Sequence, residues 1–315
     1  MNIGKLTNSE LEALILSKFR KTRKEVKDPP MVGIDCAQVD VGGVCVLSSD
    51  PITAATSRIG YLTVHINCND AAAAGAEPIG LMVTLLAPTS AEKSELSAVA
   101  DDIAKAAYDA NVDIIGGHTE FTPAVNRIIT SATVIAKPVC ALEGLKCGDD
   151  IIITKSAALE GTAVIANDCQ DRLSLSADEL ETAKNMVNSL SVIPEGMYAA
   201  KHGAHAMHDV TEGGVLGALW ELCYSAGLGC ITDTDAIPIE PVTEKICTSL
   251  GIDPYRLLSS GAMLIACENG EEMVKGLSGI GIKATVIAKV TEGGLRDTKG
   301  NIIEPPEADE LYKVF

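Results

Sequence analysis

Carboxylates beside glycine, asparagine or proline recur through the first half of this chain. Asp35 ends Gly33-Ile34-Asp35, Asp50 precedes Pro51, Asp70 follows Asn69, and Glu120 closes Gly116-Gly117-His118-Thr119-Glu120. Each reads as an acid in a turn just after a strand, or at a helix start. Oxygen ligands so placed suit Mg²⁺ held together with substrate phosphates. Crowded carboxylates raise one another's pKa, so a cation is what would make their company tolerable. Taken singly, each is equally readable as an Asx turn or a solvated loop acid. In the second half, His208-Asp209-Val210-Thr211-Glu212-Gly213-Gly214 sets another acid at a strand end.

Other chemistries fare worse. Neither Gly-x4-Gly-Lys-Ser/Thr nor Gly-x-Gly-x-x-Gly after a strand occurs, which argues against a P-loop or Rossmann site. His202, His205 and His208 are spaced by three, with a predicted change from helix to strand between the first two, so they make a poor zinc set. Cys36 and Cys68 sit among acids, which raise a thiol's pKa and blunt its reactivity. There are ten cysteines and no Cys-x-x-Cys pair, the usage of reduced thiols in a cytoplasm.

Composition limits the partners. The formal charge is −18, from 43 acidic and 25 basic residues, a balance that repels nucleic acid and anionic membrane. A nucleotide would therefore have to arrive with a divalent cation. No stretch reads as a signal peptide or a membrane span. With 47% apolar residues but only 3% aromatics, the core must be mostly aliphatic, as in sheets buried on both faces.

The elements that must position these acids read as alternating helix and strand, implying layered α/β domains. Thr7-Asn8-Ser9-Glu10 has capping-box spacing before a helix with Leu11, Leu14, Ile15 and Phe19 on one face. Residues 31–37 and 44–47 predict strands, and Pro51 places Asp50 at a strand end. The stretch 66–78 predicts an Ala-rich helix, stopped by Gly75 and Pro78, with Asp70 at mid-length and a face small enough for close packing. A strand at 79–86, a helix at 90–111, a strand at 112–115 running into the Gly116-Gly117 loop, and a strand at 127–136 complete the first half. The division is 1–30 helix and linker, 31–140 first domain, 147–300 second domain, 301–315 tail without special chemistry.

Together these turns occur in an order and at a spacing that resemble the aminoimidazole ribonucleotide synthetase (PurM-like) superfamily, and within it the HypE-like hydrogenase-maturation branch. The likeness runs over roughly residues 5 to 295. It implies an α+β N-terminal domain that closes a dimeric β-barrel with its copy, and a C-terminal α/β domain. It further implies ATP and Mg²⁺ in the cleft between the halves. Asp35, Asp50 and Asp70 match family carboxylates around metal and phosphate, with Asn69 beside them. Gly116 and Gly117 match positions where backbone approaches nucleotide, and Asp209 matches an acid facing the cleft. His118 stands where many relatives have an acid, leaving Glu120 as the alternative ligand. The implied reaction is phosphorylation of an oxygen on an amide, carbamoyl group or similar acceptor, either a small molecule or one borne by a partner protein. HypE itself ends in a carrier cysteine, whereas no cysteine follows Cys267 in this sequence, so dehydration on its own tail is not expected. A non-catalytic or nucleotide-binding assembly factor and a thiamine-monophosphate-type kinase are the competing readings.

Overall fold

The computed structural model of the chain describes residues 4–33, 36–53, 58–305 and 308–315. It divides into two units, residues 1–71 with 76–138, and residues 72–75 with 139–315. Among the described residues, no helix is long and apolar enough to cross a membrane.

The first unit contains β1 (Gly4–Lys5), α1 (Asn8–Leu14), β2 (Val46–Ile52), α2 (Ile59–Ala73), β3 (Ala76–Ala87), α3 (Lys93–Asp109), β4 (Asp113–Phe121) and β5 (Ile129–Pro138). Thr7 and Glu10 form the reciprocal cap that their spacing predicts. Leu11, Leu14, Ile15 and Phe19 then pack with Leu85, Leu96, Ala100 and Phe121. The sheet runs β1-β4-β3-β5-β2, with β3 and β4 parallel and the other neighbours antiparallel. β2 is thus an edge strand.

Helix α2 is buried almost all round. At its start Gly60 admits α3, because a Cβ there would stand 2.6 Å from the Val99 carbonyl. In its middle the Thr63 hydroxyl meets that of Thr130 on β5 at 2.5 Å. At its end, in the second unit, a Cβ on Gly196 would come within 2.9 Å of the Ala72 carbonyl. The alanine run therefore serves close backbone approach. The helix begins as early as Ile59, so Asp70 falls in its last turns rather than at mid-length.

Three local expectations change. Residues 31–33 and 36–37 form no strand, since two prolines and Gly33 at φ +83° break the ladder, and only an isolated Val26–Val39 bridge forms nearby. Asp50 is not at a strand end: β2 continues through Pro51, paired with Ser131, which an edge strand tolerates because one side of its backbone needs no partner. Gly116 to Glu120 is not a loop after the strand but the body of β4, carried past its glycines by a bulge at Ile115.

The second unit contains β6 (Asp150–Thr154), α4 (Leu159–Asp168), α5 (Ala177–Asn185), α6 (Ile193–Lys201), β7 (Ala204–Asp209), α7 (Gly214–Ala226), β8 (Gly229–Thr232), α8 (Pro241–Leu250), β9 (Met263–Cys267), α9 (Gly270–Gly279), β10 (Ala284–Thr291) and β11 (Leu295–Asp297). Its sheet runs β11-β8-β10-β6-β9-β7 and is antiparallel except at β11–β8. Helix α7 covers one face over Ile151, Ile153, Leu264 and Ala266. The other face, with Ile152, Met263 and Ile265, packs against α6 and α9. A short turn, Glu310–Lys313, folds the tail back onto this unit.

Candidate functional site

Two of the predicted acids, Asp50 and Asp70, lie along the seam of β2 and α2. Alternation along β2 turns Ser48 and Asp50 toward the helix and Leu47, Ser49 and Pro51 away from it. Asn67 and Asp70 lie three apart on α2 and so share a face. The Asn67 amide oxygen accepts the Asp50 N–H at 2.9 Å, and its NH₂ donates to the Thr63 carbonyl at 2.9 Å and to the Asp50 carbonyl at 3.4 Å. Asn67 thereby pairs the backbone that an edge strand leaves open. One turn on, the Ser48 hydroxyl donates to Asp70 Oδ2 at 2.5 Å. Asp50 and Asp70 are both half-buried, whereas Asn69 is 1% exposed. Asp35 lies outside the described residues. Neither Ser48 nor Asn67 stood out in the sequence, although Asn67 sits one helical turn before Asp70, which was the available signal.

His118 and Glu120 project elsewhere. Their register partners on β3 are Thr84 and Leu86, which share the sheet face turned away from α2. His118 Nε2 lies 3.2 Å from Glu120 Oε2, so the two form a pair of their own. The structure brings Asp50 and Asp70 onto one seam and places this pair on the opposite sheet face, with two strands, β3 and β5, between β4 and β2. Gly117 has a structural reason to be glycine. At φ +148° its Cβ would fall 1.8 Å from the Val83 carbonyl oxygen, inside the neighbouring strand. Gly116 meets nothing nearer than the Met82 methyl at 3.7 Å and leaves the backbone open.

That open backbone lines a cavity of about 640 Å³ within the first unit. Leu11, Ile15 and Phe19 supply an apolar wall; Gly33, Cys36 and Gln38 form another, and Gly116 to Thr119 the third. The arm bearing the second wall is riveted to the sheet. Asp113, 2% exposed, accepts the backbone N–H of Thr22 at 2.8 Å and of Arg23 at 2.9 Å, and the Thr22 hydroxyl at 2.7 Å. Arg23 then reaches Glu77 at 2.7 Å, and Lys137 reaches Glu25 at 2.6 Å. Burial opposes the charge on Glu25, but Lys137 and Arg23 hold its carboxyl down at about 2. These residues are remote in sequence, and only the fold reveals the network.

Cys68 is fully buried, and burial, with Asp70 adding to it, pushes its thiol far above the ordinary range. It is a packing residue. In the second unit Asp209 ends β7 at 8% exposure. The three histidines work separately: His202 stacks on Tyr198, His205 Nδ1 lies 2.9 Å from Asp149, and His208 Nδ1 lies 2.6 Å from the Asp209 carbonyl. Among the described residues no group of three or more His, Cys, Asp or Glu is disposed to hold a metal ion. Any cation at the β2–α2 seam would draw further ligands from a bound phosphate and water, as Mg²⁺ commonly does.

Comparison with known proteins supplies the wider frame. The chain matches the model of AIR synthase related protein, N-terminal domain, over residues 33–138 and that of the C-terminal domain over 146–298. It is 28% identical to carbamoyl dehydratase HypE of Cupriavidus necator over 247 residues, covering 75% of this chain and 68% of that one. It is 29% identical to a putative hydrogenase expression/formation protein of Methanocaldococcus jannaschii over 263 residues, covering 81% and 75%. A crystal structure of the hydrogenase maturation protein HypE in complex with ATP shares the fold at TM-score 0.81 and 21% identity, over 98% of this chain and 97% of that one.

Proposed function

Since the chain belongs to the AIR synthase related protein family, we propose that it is an ATP- and Mg²⁺-dependent enzyme that phosphorylates an oxygen of an amide, carbamoyl or similar acceptor. The observation that carries this reading is the β2–α2 seam, where Asp50 and Asp70 are set on one face and fixed by Asn67 and Ser48. Two carboxylates fit a cation that completes its shell with phosphate oxygens. A separate cavity of the same unit, about 640 Å³ and lined by an apolar wall and open backbone but by neither Asp50 nor Asp70, is of the size and make-up that take nucleotides.

In this reading Asp50 and Asp70, with Asp35, hold the cation, and the Gly116 backbone contacts the nucleotide. When bound, Mg²⁺-ATP supplies the phosphoryl group and neutralises its developing charge. The chain's own contribution is then position: Ser48 orients the Asp70 carboxylate, and Asn67 fixes the β2 edge. Asp209 and the His118–Glu120 pair, which lies on the sheet face opposite the seam with His118 bordering the cavity, are the candidates to take the acceptor's proton. The relatives' names, and an ATP complex within the same fold, support nucleotide use and a hydrogenase-maturation setting. Leu47 and Met82, 61% and 37% exposed on the sheet face away from α2, support a homodimer built on that face. Ten cysteines without a disulfide support a reducing, cytoplasmic setting.

The test is ATP turnover with and without Mg²⁺ in the native protein and in Asp70→Ala. The cation's several kcal/mol of charge stabilisation predict a loss of about 100-fold or more in the variant. Equal background rates in all samples would remove the enzymatic reading and favour an assembly factor.

A further inference from the structure

The turn after β7 is completed by a residue 96 positions further along the chain. Asp309 is 3% exposed, and three backbone N–H groups converge on its carboxylate. Gly213 donates to Oδ2 at 2.8 Å, while Leu258 at 3.1 Å and Leu311 at 2.8 Å donate to Oδ1. Gly213 is the N-cap of α7, at φ +80°, and offers no side chain to that helix's first turn. Asp309 takes the N–H of that cap residue, while the Leu216 N–H of the first turn donates to the Tyr255 carbonyl at 3.1 Å, and the Asp309 charge sits at the helix's positive end.

The same carboxylate joins two loops. Leu258 precedes Ser259, whose N–H donates to the Thr211 carbonyl at 3.3 Å and whose hydroxyl accepts the Ala158 N–H at 2.6 Å. Gly214 lies so close to the second loop that a Cβ would stand 2.5 Å from the Tyr255 carbonyl oxygen. The tail is itself anchored. Tyr312 donates to Glu212 at 2.8 Å, Glu310 accepts the Asp253 N–H at 3.3 Å, and Arg172 donates to the Val314 carbonyl. The family match ends at residue 298, so this segment lies outside it.

We infer that Asp309 is a positioning residue for the turn that follows Asp209: it ties residues 211–214 to the loop before β9 and so fixes where the β7 carboxylate is presented. A tail that sequence alone leaves without a task is thus part of the second unit's working surface. The activity arm of the test below rests on the ATP-dependent reading; the exchange arm does not.

The experiment compares the full chain with Asp309→Ala and Asp309→Asn by amide hydrogen exchange, thermal melting and Mg²⁺-ATP kinetics. Loss of a charge-assisted acceptor predicts exchange about tenfold faster or more at Gly213 and Leu258 in Asp309→Ala, with β9 protected as before. Turnover should fall by about tenfold while KM for ATP stays within about twofold, because nucleotide binding is assigned to the first unit. Asp309→Asn, which keeps one acceptor oxygen, should fall between, and it carries the comparison should the alanine variant not fold. Unchanged exchange at both amides overturns the inference, as does loosening that spreads equally into β9, or loosened loops with undiminished turnover. If the native protein turns over no ATP, the ATP-dependent reading fails on its own, and the exchange pattern still decides whether Asp309 orders the turn.

Discussion

The two sheets are dressed differently. In the second unit β6 and β9 bury residues on both faces, with α7 over one and α6 and α9 over the other. In the first unit β2 and β5 alternate, one side chain inward and the next half-covered or exposed. The second sheet closes its own core; the first keeps a face for something else. It is also the first sheet that carries paired acids on its covered side, where a helix can orient them. Strands covered on both faces can offer a site only at their ends, and in this unit Asp209 stands at the end of the edge strand β7.

The sharpest way to break this contrast is to truncate one apolar side chain in each sheet. Ile152→Ala, in the doubly covered sheet, should cost about 2–5 kcal/mol. Leu47→Ala, on the open face that only a second copy of the chain would cover, should cost about 1 kcal/mol or less. Urea unfolding measures both, and equal costs would mean that the open face is as packed as the closed one. Next in size is a charge on that face. Leu47→Glu combined with Met82→Glu should halve the mass seen by light scattering while leaving the far-ultraviolet circular dichroism unchanged. An unaltered mass would remove this face as the dimer surface.

The smallest effect concerns pH. Burial pushes the Glu160 carboxyl from its ordinary 4.5 up to about 7; Asp309 and Glu212 add to the rise, and the Ser260 hydroxyl opposes it. Because the folded value is the higher, its stabilising contribution is complete below about 4.5 and lost as pH rises through about 7. Glu160→Gln, which cannot ionise, should remove this slope and make the protein more resistant to urea than the native chain above pH 7. Parallel curves for the two proteins across pH 4.5 to 8 would show that Glu160 does not titrate as its surroundings demand.

Much of this was written locally. The Thr7–Glu10 cap, the small-residue helix and the alternation of the second half follow from spacing that acts over a few residues. The family likeness rests on five short motifs in order. Errors came where a neighbour decides. Pro51 stays in a strand because β2 is an edge, and Gly116-Gly117 stays in β4 because a bulge and the closeness of Val83 demand a residue without a side chain.

By itself, then, the chain's sequence determined which residues are acids, where the capped first helix starts and which family it joins, since those depend on residue type and near spacing. Tertiary structure alone decided which acids meet. Ser48 finds Asp70 across 22 positions, Asp113 takes the Thr22 N–H across 91, and Asp309 takes the Gly213 N–H across 96. The reason is that a buried carboxylate must find donors wherever the folded chain provides them, and no local spacing encodes which segment arrives.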